Sequence, residues 1–364
     1  MNNPLNISLQ IDRPQVVWRQ IADQMRSKIM SGELPAGAKL PSTAELAKLA
    51  DTDVKTIHRA LTDLVREGLI TRARKVGTYV TERKSLMSPI GIYYSQNIPA
   101  ERSDLFLHCL HGELQRLAHD KGIATRILVD NRPRKDQTTT LPELETAARE
   151  RSIVGLVSTV ADPTHLAWLD KLPVSVAYNG ATQPSSAKWN IPQMIDLALN
   201  SLKKQGCRSV GLITHIRDGN TLFYDHLRAK SAELGLEIRE EWLLRPGEYV
   251  EAATSGYKYG YDYFNELWAQ AERPDGLLVY PDVVARGVIM AAVAHQVNTQ
   301  ELKLMLHKND EIDLFCPLPA TFVVSSARDN AAALLKQLDD QFHGRTPQPI
   351  LLQFKLSGVG AEPA

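Results

Sequence analysis

The sequence predicts two folded parts: a small α+β head over residues 1–84 and, beyond a linker at 85–89, a larger two-lobed α/β body over 90–364. Three observations carry this. The chain balances 42 Lys+Arg against 42 Asp+Glu, yet residues 1–84 hold 14 and 9, so a head of +5 precedes a body of −5. That is the layout of a polyanion-binding module joined to one that binds no polyanion. Within the head, hydrophobic spacing changes from helical to alternating after Leu64. Beyond residue 89, short β-rich runs alternate with amphipathic segments.

In the head, Ile21, Met25 and Ile29 recur every fourth position after Val17, which predicts a helix over 15–31 ending at Gly32. Two prolines and two glycines break Gly32–Pro41 into a turn. Ser42-Thr-Ala-Glu45 is a capping box and starts a short second helix with Leu46 and Leu49 inward. Asp53 caps a third helix whose inner stripe is Ile57, Ala60, Leu61 and Leu64, and Gly68 closes it. Lys55, His58, Arg59 and Thr62 share the outer face, with donors suited to phosphates and base edges in a major groove; a solvated charged face is the alternative. Leu69–Arg72 and Thr78–Thr81 then alternate as strands around the cationic tip Ala73-Arg-Lys-Val-Gly77. Helix, turn, helix and basic hairpin is the order of a winged helix-turn-helix.

These residues resemble the GntR family of bacterial transcription regulators. The matching text is Ser31-Gly-Glu-Leu-Pro-Ala-Gly-Ala-Lys-Leu-Pro-Ser42, Thr56-Ile-His-Arg-Ala-Leu61, Glu67-Gly-Leu-Ile70 and Gly77-Thr-Tyr-Val80, in the family's order. The resemblance implies DNA contacts from Ser42, Lys55, Thr56, His58, Arg59, Arg74, Lys75 and Gly77. Two arginines that touch DNA in the family are replaced here by Ala44 and Val54.

In the body, strands are predicted at 90–94, 125–129, 153–157, 174–178, 210–213, 240–244, 276–280, 303–307 and 321–325. Helices fit at 105–120, 141–150, 165–171, 191–205, 221–234, 252–271, 283–295 and 329–342. Roughly ten strands exceed one ordinary sheet and suit two similar parallel-sheet, Rossmann-like lobes. Leu202-Lys-Lys-Gln-Gly-Cys-Arg-Ser-Val-Gly-Leu-Ile213 and Arg273-Pro-Asp-Gly-Leu-Leu-Val-Tyr-Pro-Asp-Val-Val-Ala-Arg-Gly-Val288 are similar to motifs of the LacI/GalR effector domain. That domain has the periplasmic-binding-protein type I fold and stands behind a GntR head in AraR-like regulators. Pro281 and Leu306-His-Lys-Asn309 depart from its pattern, removing a frequent sugar-binding carboxylate unless Asp310 substitutes.

Ligands in such sheets sit beyond the carboxyl ends of the strands. Following the strand ends gives Ser95, Gln96, Ser158, Thr159, Tyr178, Asn179, His215, Arg217 and Asp282, with Trp189 as a stacking face. Arg217 stands where the family often has a ligand-binding arginine, and a guanidinium can hold a diol, carboxylate or phosphate bidentately. Each has a structural alternative: Tyr178 and Trp189 as core, Arg217 as a surface ion pair.

The expected function is therefore a homodimeric DNA-binding regulator, in the first place a repressor of a pseudo-palindromic operator, controlled by a carbohydrate-like small molecule. A regulator without small-molecule control is the second reading. An enzyme is the third, and no G-x-S-x-G, H-E-x-x-H or Gly-rich phosphate loop supports it. His108, Cys109 and His111 read as ordinary residues of one helix. Cys109, Cys207 and Cys316 lack metal-type spacing and read as three buried small hydrophobes in a reducing compartment. No cofactor is expected. The opening MNNPLNISLQIDRPQ lacks a signal-peptide pattern, and no apolar run suits a membrane span, so a cytoplasmic location is expected.

Overall fold

In a computed structural model, the described residues are all except 1–6, 8, 12–15, 31–32, 74–75, 82–87, 96–104, 160–166, 217–219, 247–255 and 359–364. They fall into two compact units. The first comprises residues 1–96, 115–186 and 334–349, the second 97–114, 187–333 and 350–364. Most of the linker expected at 85–89 lies outside the described residues.

The head belongs to the first unit. Helices α1 (Val17–Met30), α2 (Thr43–Leu49) and α3 (Val54–Arg66) pack around Ile21, Met25, Leu46, Ile57, Leu61 and Leu64, all buried. Both caps form: Ser42 Oγ accepts from the Glu45 N–H at 3.3 Å while the Ser42 N–H donates to Glu45 Oε2 at 2.7 Å. Asp53 Oδ1 accepts from the Thr56 N–H at 2.8 Å. Leu49 corrects an expectation, being 40% exposed rather than inward. Strands β2 (Ile70–Ala73) and β3 (Gly77–Val80) form the hairpin, and a two-residue strand β1 (Lys39–Leu40), absent from the sequence reading, pairs antiparallel with β3. A contact of two residues leaves no alternation to read.

The rest of the first unit carries β4 (Ile90–Tyr94), β5 (Thr125–Val129), β6 (Gly155–Ser158) and β7 (Ser175–Asn179), side by side as β5-β4-β6-β7 and all parallel. Their core is Tyr93, Leu128, Leu144, Leu156, Trp168 and Tyr178, covered on one side by α5 (Pro142–Arg149). Helix α4 (Leu105–Asp120) has its predicted bounds, and the division between the units falls after its Leu114.

The second unit holds the sheet β10-β9-β11-β12-β13-β15, with β9 at Val210–Thr214, β10 at Leu243–Leu244, β11 at Gly276–Tyr280, β12 at Lys303–Asn309, β13 at Ala320–Ser325 and β15 at Lys355–Gly358. It is parallel except for β15, which pairs antiparallel with β13. Successive residues of β11 serve opposite cores. Leu277 and Val279 pack on α8 (Gly256–Trp268) and α9 (Asp282–Ala294), Leu278 on α6 (Ile191–Lys204) and α7 (Thr221–Glu233). A strand apolar on both faces is the mark of a covered parallel sheet. Helix α10 (Ala327–Phe342) follows β13. Strands β8 (Ser186–Trp189) and β14 (Ile350–Leu352) pair in parallel.

Further corrections concern bounds and burial. Residues 240–242 of the strand expected at 240–244 form a 3-10 turn, and β8, β14 and β15 were not read from the sequence. Only Cys207 is buried; Cys109 and Cys316 are half-buried. No helix among the described residues is long and apolar enough to cross a membrane.

Candidate functional sites

Helix α3 presents Lys55, His58, Arg59 and Thr62 on one exposed face because Ile57, Ala60, Leu61 and Leu64 hold the other in the core. Thr62 Oγ1 donates to the His58 carbonyl at 2.7 Å and lies 3.4 Å from His58 Nδ1. Thr56 is half-buried, and its hydroxyl donates to Asp53 Oδ2 at 2.8 Å, so it serves the helix cap. Those bonds from Thr56 hold the Asp53 carboxyl below the usual range. The Arg59 guanidinium lies 4.4 Å from the centre of the Trp18 ring, with that of Arg19 at 5.4 Å. Ser42 is exposed at the start of α2. Gly77 has φ +131° at the base of the wing, where an added Cβ would stand 3.1 Å from Lys39 Cε. Arg74 and Lys75 lie outside the described residues.

The reading of the sequence missed Arg19, Lys39 and Arg72. Arg72 Nη2 donates to Thr43 Oγ1 at 3.1 Å, and the Lys39 ammonium stands 5.9 Å from the Tyr79 ring centre. Their signal was the basic charge of the head, which names no individual residue.

In each parallel sheet the chain order reverses beside one strand, making a switch point where ligands bind. In the first unit this is between β4 and β6. Ser95 and Thr159 are half-buried there and Ser158 is fully buried; Thr159 Oγ1 donates to the Tyr93 carbonyl at 3.0 Å. Tyr178 is 2% exposed, with its hydroxyl donated to Asp170, so its ring belongs to the core; Asn179 beside it is half-buried. Gln96 lies outside the described residues. A polar group unforeseen from the sequence braces these loops. The Gln137 amide donates to the carbonyls of Ser95, Asp130 and Arg132 at 2.8, 3.0 and 2.8 Å. Arg132 grips Asp130 through Nε and Nη2 at 2.8 and 2.6 Å. Burial pushes the Asp130 carboxyl up, but the bonds and charge of Arg132 outweigh it and hold it below its ordinary value.

In the second unit the switch point lies between β9 and β11, and there His215 and Asp282 meet a buried polar ring. The Asp282 N–H donates to His307 Nδ1 at 3.0 Å, so that nitrogen accepts and Nε2 carries the proton. Nε2 lies 2.9 Å from Ser325 Oγ, Ser325 donates to Asn309 Oδ1, and Asn309 Nδ2 donates to Asp282 Oδ2 at 3.0 Å. Asp282, His307, Asn309 and Ser325 are all under 5% exposed. Burial, with the charge of His215, pushes the His307 pKa down to about 3. His215 keeps solvent-accessible area but is crowded enough that lost hydration lowers its pKa, against the pull of Asp282. Tyr280, His307, Phe354 and Trp189 follow one another with ring centres 4.8, 5.9 and 5.0 Å apart. Asp310 is exposed, and it is Asn309 and His307 that face Asp282. Arg217 lies outside the described residues. Among the described residues no cluster of His, Cys, Asp or Glu is arranged to hold a metal ion.

Comparison with known proteins matches residues 18–80 to the bacterial regulatory proteins of the gntR family and residues 199–356 to the periplasmic binding protein-like domain. The HTH-type transcriptional repressor YtrA of Bacillus subtilis is 38% identical over 66 residues, 18% of this chain and 51% of that protein. An HTH-type transcriptional regulator of the same organism, YhcF, is 30% identical over 81 residues, 22% of this chain and 67% of its own length. The chain spans 28% to 51% of the first curated relatives it matches. Among solved structures, a LacI family transcription regulator from Clostridium acetobutylicum has a TM-score of 0.58 at 17% identity, over 74% of this chain and 98% of that one. A complex of the transcriptional regulator CelR with cellobiose has a TM-score of 0.60 at 15% identity, over 87% and 98%. At these identities the likeness is one of fold. All four are transcription regulators rather than enzymes.

Proposed function

The chain belongs to the gntR family of bacterial regulatory proteins, and from that premise we propose that it is a DNA-binding transcription repressor whose operator affinity is set by a carbohydrate-like molecule held by the α/β body. It acts as a homodimer on a pseudo-palindromic operator, since two identical heads read two half-sites. Its domains are the winged head at 1–84, a linker at 85–89 and the effector body at 90–364. The exposed face of α3, flanked by the wing, meets DNA. Lys55, Arg59, Arg74 and Lys75 supply charge, and Ser42, Thr56, His58 and Gly77 position the helix and wing.

The observation that carries the effector half is the buried ring at the switch point of the second sheet. Four polar side chains kept in fixed orientation at the carboxyl ends of three strands are what a binding site for a hydroxyl-rich molecule requires. The aromatic run ending at Trp189 offers the flat face that the apolar side of a sugar ring packs on. In this second unit His215, Arg217 and Asp282 are the proposed ligand contacts; at the first unit's own switch point the proposed contacts are Ser95, Gln96 and Asn179, while Ser158 and Tyr178 are buried in its core. The cellobiose bound by CelR, a regulator of the same fold, agrees with this choice of ligand class.

The test is a fluorescence-anisotropy titration with DNA from the protein's own upstream region, over a salt series, with and without a panel of mono- and disaccharides and their phosphates. The expected result is sequence-specific binding that one compound weakens. Binding indifferent to DNA sequence and to every compound would refute the reading.

A further inference from the structure

The head is basic overall, yet one part of it is acidic. Arg26 of α1 is gripped by Glu67, just past α3, through Nε and Nη2 at 2.7 and 2.6 Å, with Asp63 at 3.6 Å and Asp23 in contact. The Asp23 carboxylate has a second guanidinium partner, Arg151, whose Nη2 lies 3.0 Å from Oδ1. Arg151 belongs to the α/β part of the first unit, on the turn after α5, where its φ of 57° is a conformation glycine adopts at lower cost. Beside this contact is a recess of about 290 Å³ lined by Glu67, Ser88, Pro89, Glu150, Arg151 and Ser152. Burial and the neighbouring Arg26 charge lower the Arg151 pKa, while Glu67, Asp23 and Asp63 oppose them.

We propose that Asp23 and Arg151 form an ionic latch that docks the winged head on the first half of the α/β body. The pair is 57% and 40% exposed, so screening reaches it and the latch loosens with salt. It gives the head one favoured orientation that the body can hold or release. That use rests on the function proposed above; the latch itself does not.

The experiment uses the full chain without DNA or sugar, so its failure is separate from failure of that function. Trypsin scission after Arg83 and Lys84 is timed by mass spectrometry at low and high salt. Arg151→Gln, Asp23→Asn and the double variant are compared, with melting curves confirming that each is folded. Each single change is expected to speed scission about threefold at low salt, the double no more than either, and high salt to erase the differences. Unchanged rates, or single effects that multiply in the double variant, would overturn the latch. Should Asp23→Asn disturb the head through Arg26, Arg151→Glu still tests it from the other side, with faster scission expected.

Discussion

At the scale of single residues the buried ring of the second sheet makes the sharpest demand. Because the Asp282 N–H donates to His307 Nδ1, the ring is satisfied only by neutral His307. The unfolded chain takes up that proton below about 6.5, whereas the native pKa is about 3. The contribution of the neutral ring is therefore whole above pH 6.5 and is lost as pH falls from 6.5 toward 3. Between pH 7 and pH 5 this amounts to about 2 kcal/mol, and His307→Gln is expected to remove that part of the slope. Urea midpoints at the two pH values check it; equal slopes in both proteins would assign the acid sensitivity elsewhere. Arg59 carries a second prediction. Its stacking on Trp18 pre-orients the guanidinium, so Trp18→Ala should weaken operator binding in the same direction as Arg59→Ala, the latter by about 1–3 kcal/mol if Arg59 reads a base. Anisotropy titrations of both variants measure this. The sequence pointed to Asp282 but not to its partners. Asp282 stands within a recognisable motif, Arg273–Val288, whereas His307, Asn309 and Ser325 come from two further strands whose neighbours only the folded sheet reveals.

At the scale of elements, helices α8 and α9 meet through glycine. A Cβ on Gly260 would stand 2.1 Å from the Val284 carbonyl oxygen, and one on Gly287 1.8 Å from that of Tyr257. Neither backbone can yield without separating the helices, so Gly260→Ala is expected to cost about 1–3 kcal/mol through overpacking. Gly112 in α4 has nothing within 4 Å of its added Cβ, and Gly112→Ala should stabilise by about 0.5–1 kcal/mol through helix propensity. Opposite shifts in melting temperature from the same substitution are the expected outcome. Elements were the most legible scale. Helix α4 and strands β4, β5 and β11 have the bounds that periodicity predicts; in α4, β4 and β11 an apolar run or stripe buried by its own neighbours carries its signal locally. Strands β1, β8, β14 and β15 were not legible. They are short, and β14 and β15 are largely exposed, so their pairing depends on partners far away in the chain.

At the scale of the whole molecule, the proposed function couples two binding events through the chain that joins them, and coupling of this kind is reciprocal. If a sugar lowers operator affinity by some factor, saturating operator must lower sugar affinity by the same factor. A coupling of 1–3 kcal/mol corresponds to about 5- to 150-fold, within reach of both titrations. Asp282→Ala separates the two halves. It removes the carboxylate that accepts from Asn309 while leaving every residue of the head in place. The variant is expected to bind operator as the parent does without sugar, and to lose the rise in melting temperature that sugar gives the parent. A factor of one in both titrations would mean that sugar does not control operator binding. A retained thermal shift would move the ligand away from the second sheet's switch point. Neither outcome would disturb the assignment of the winged head, which rests on residues 18–80 alone.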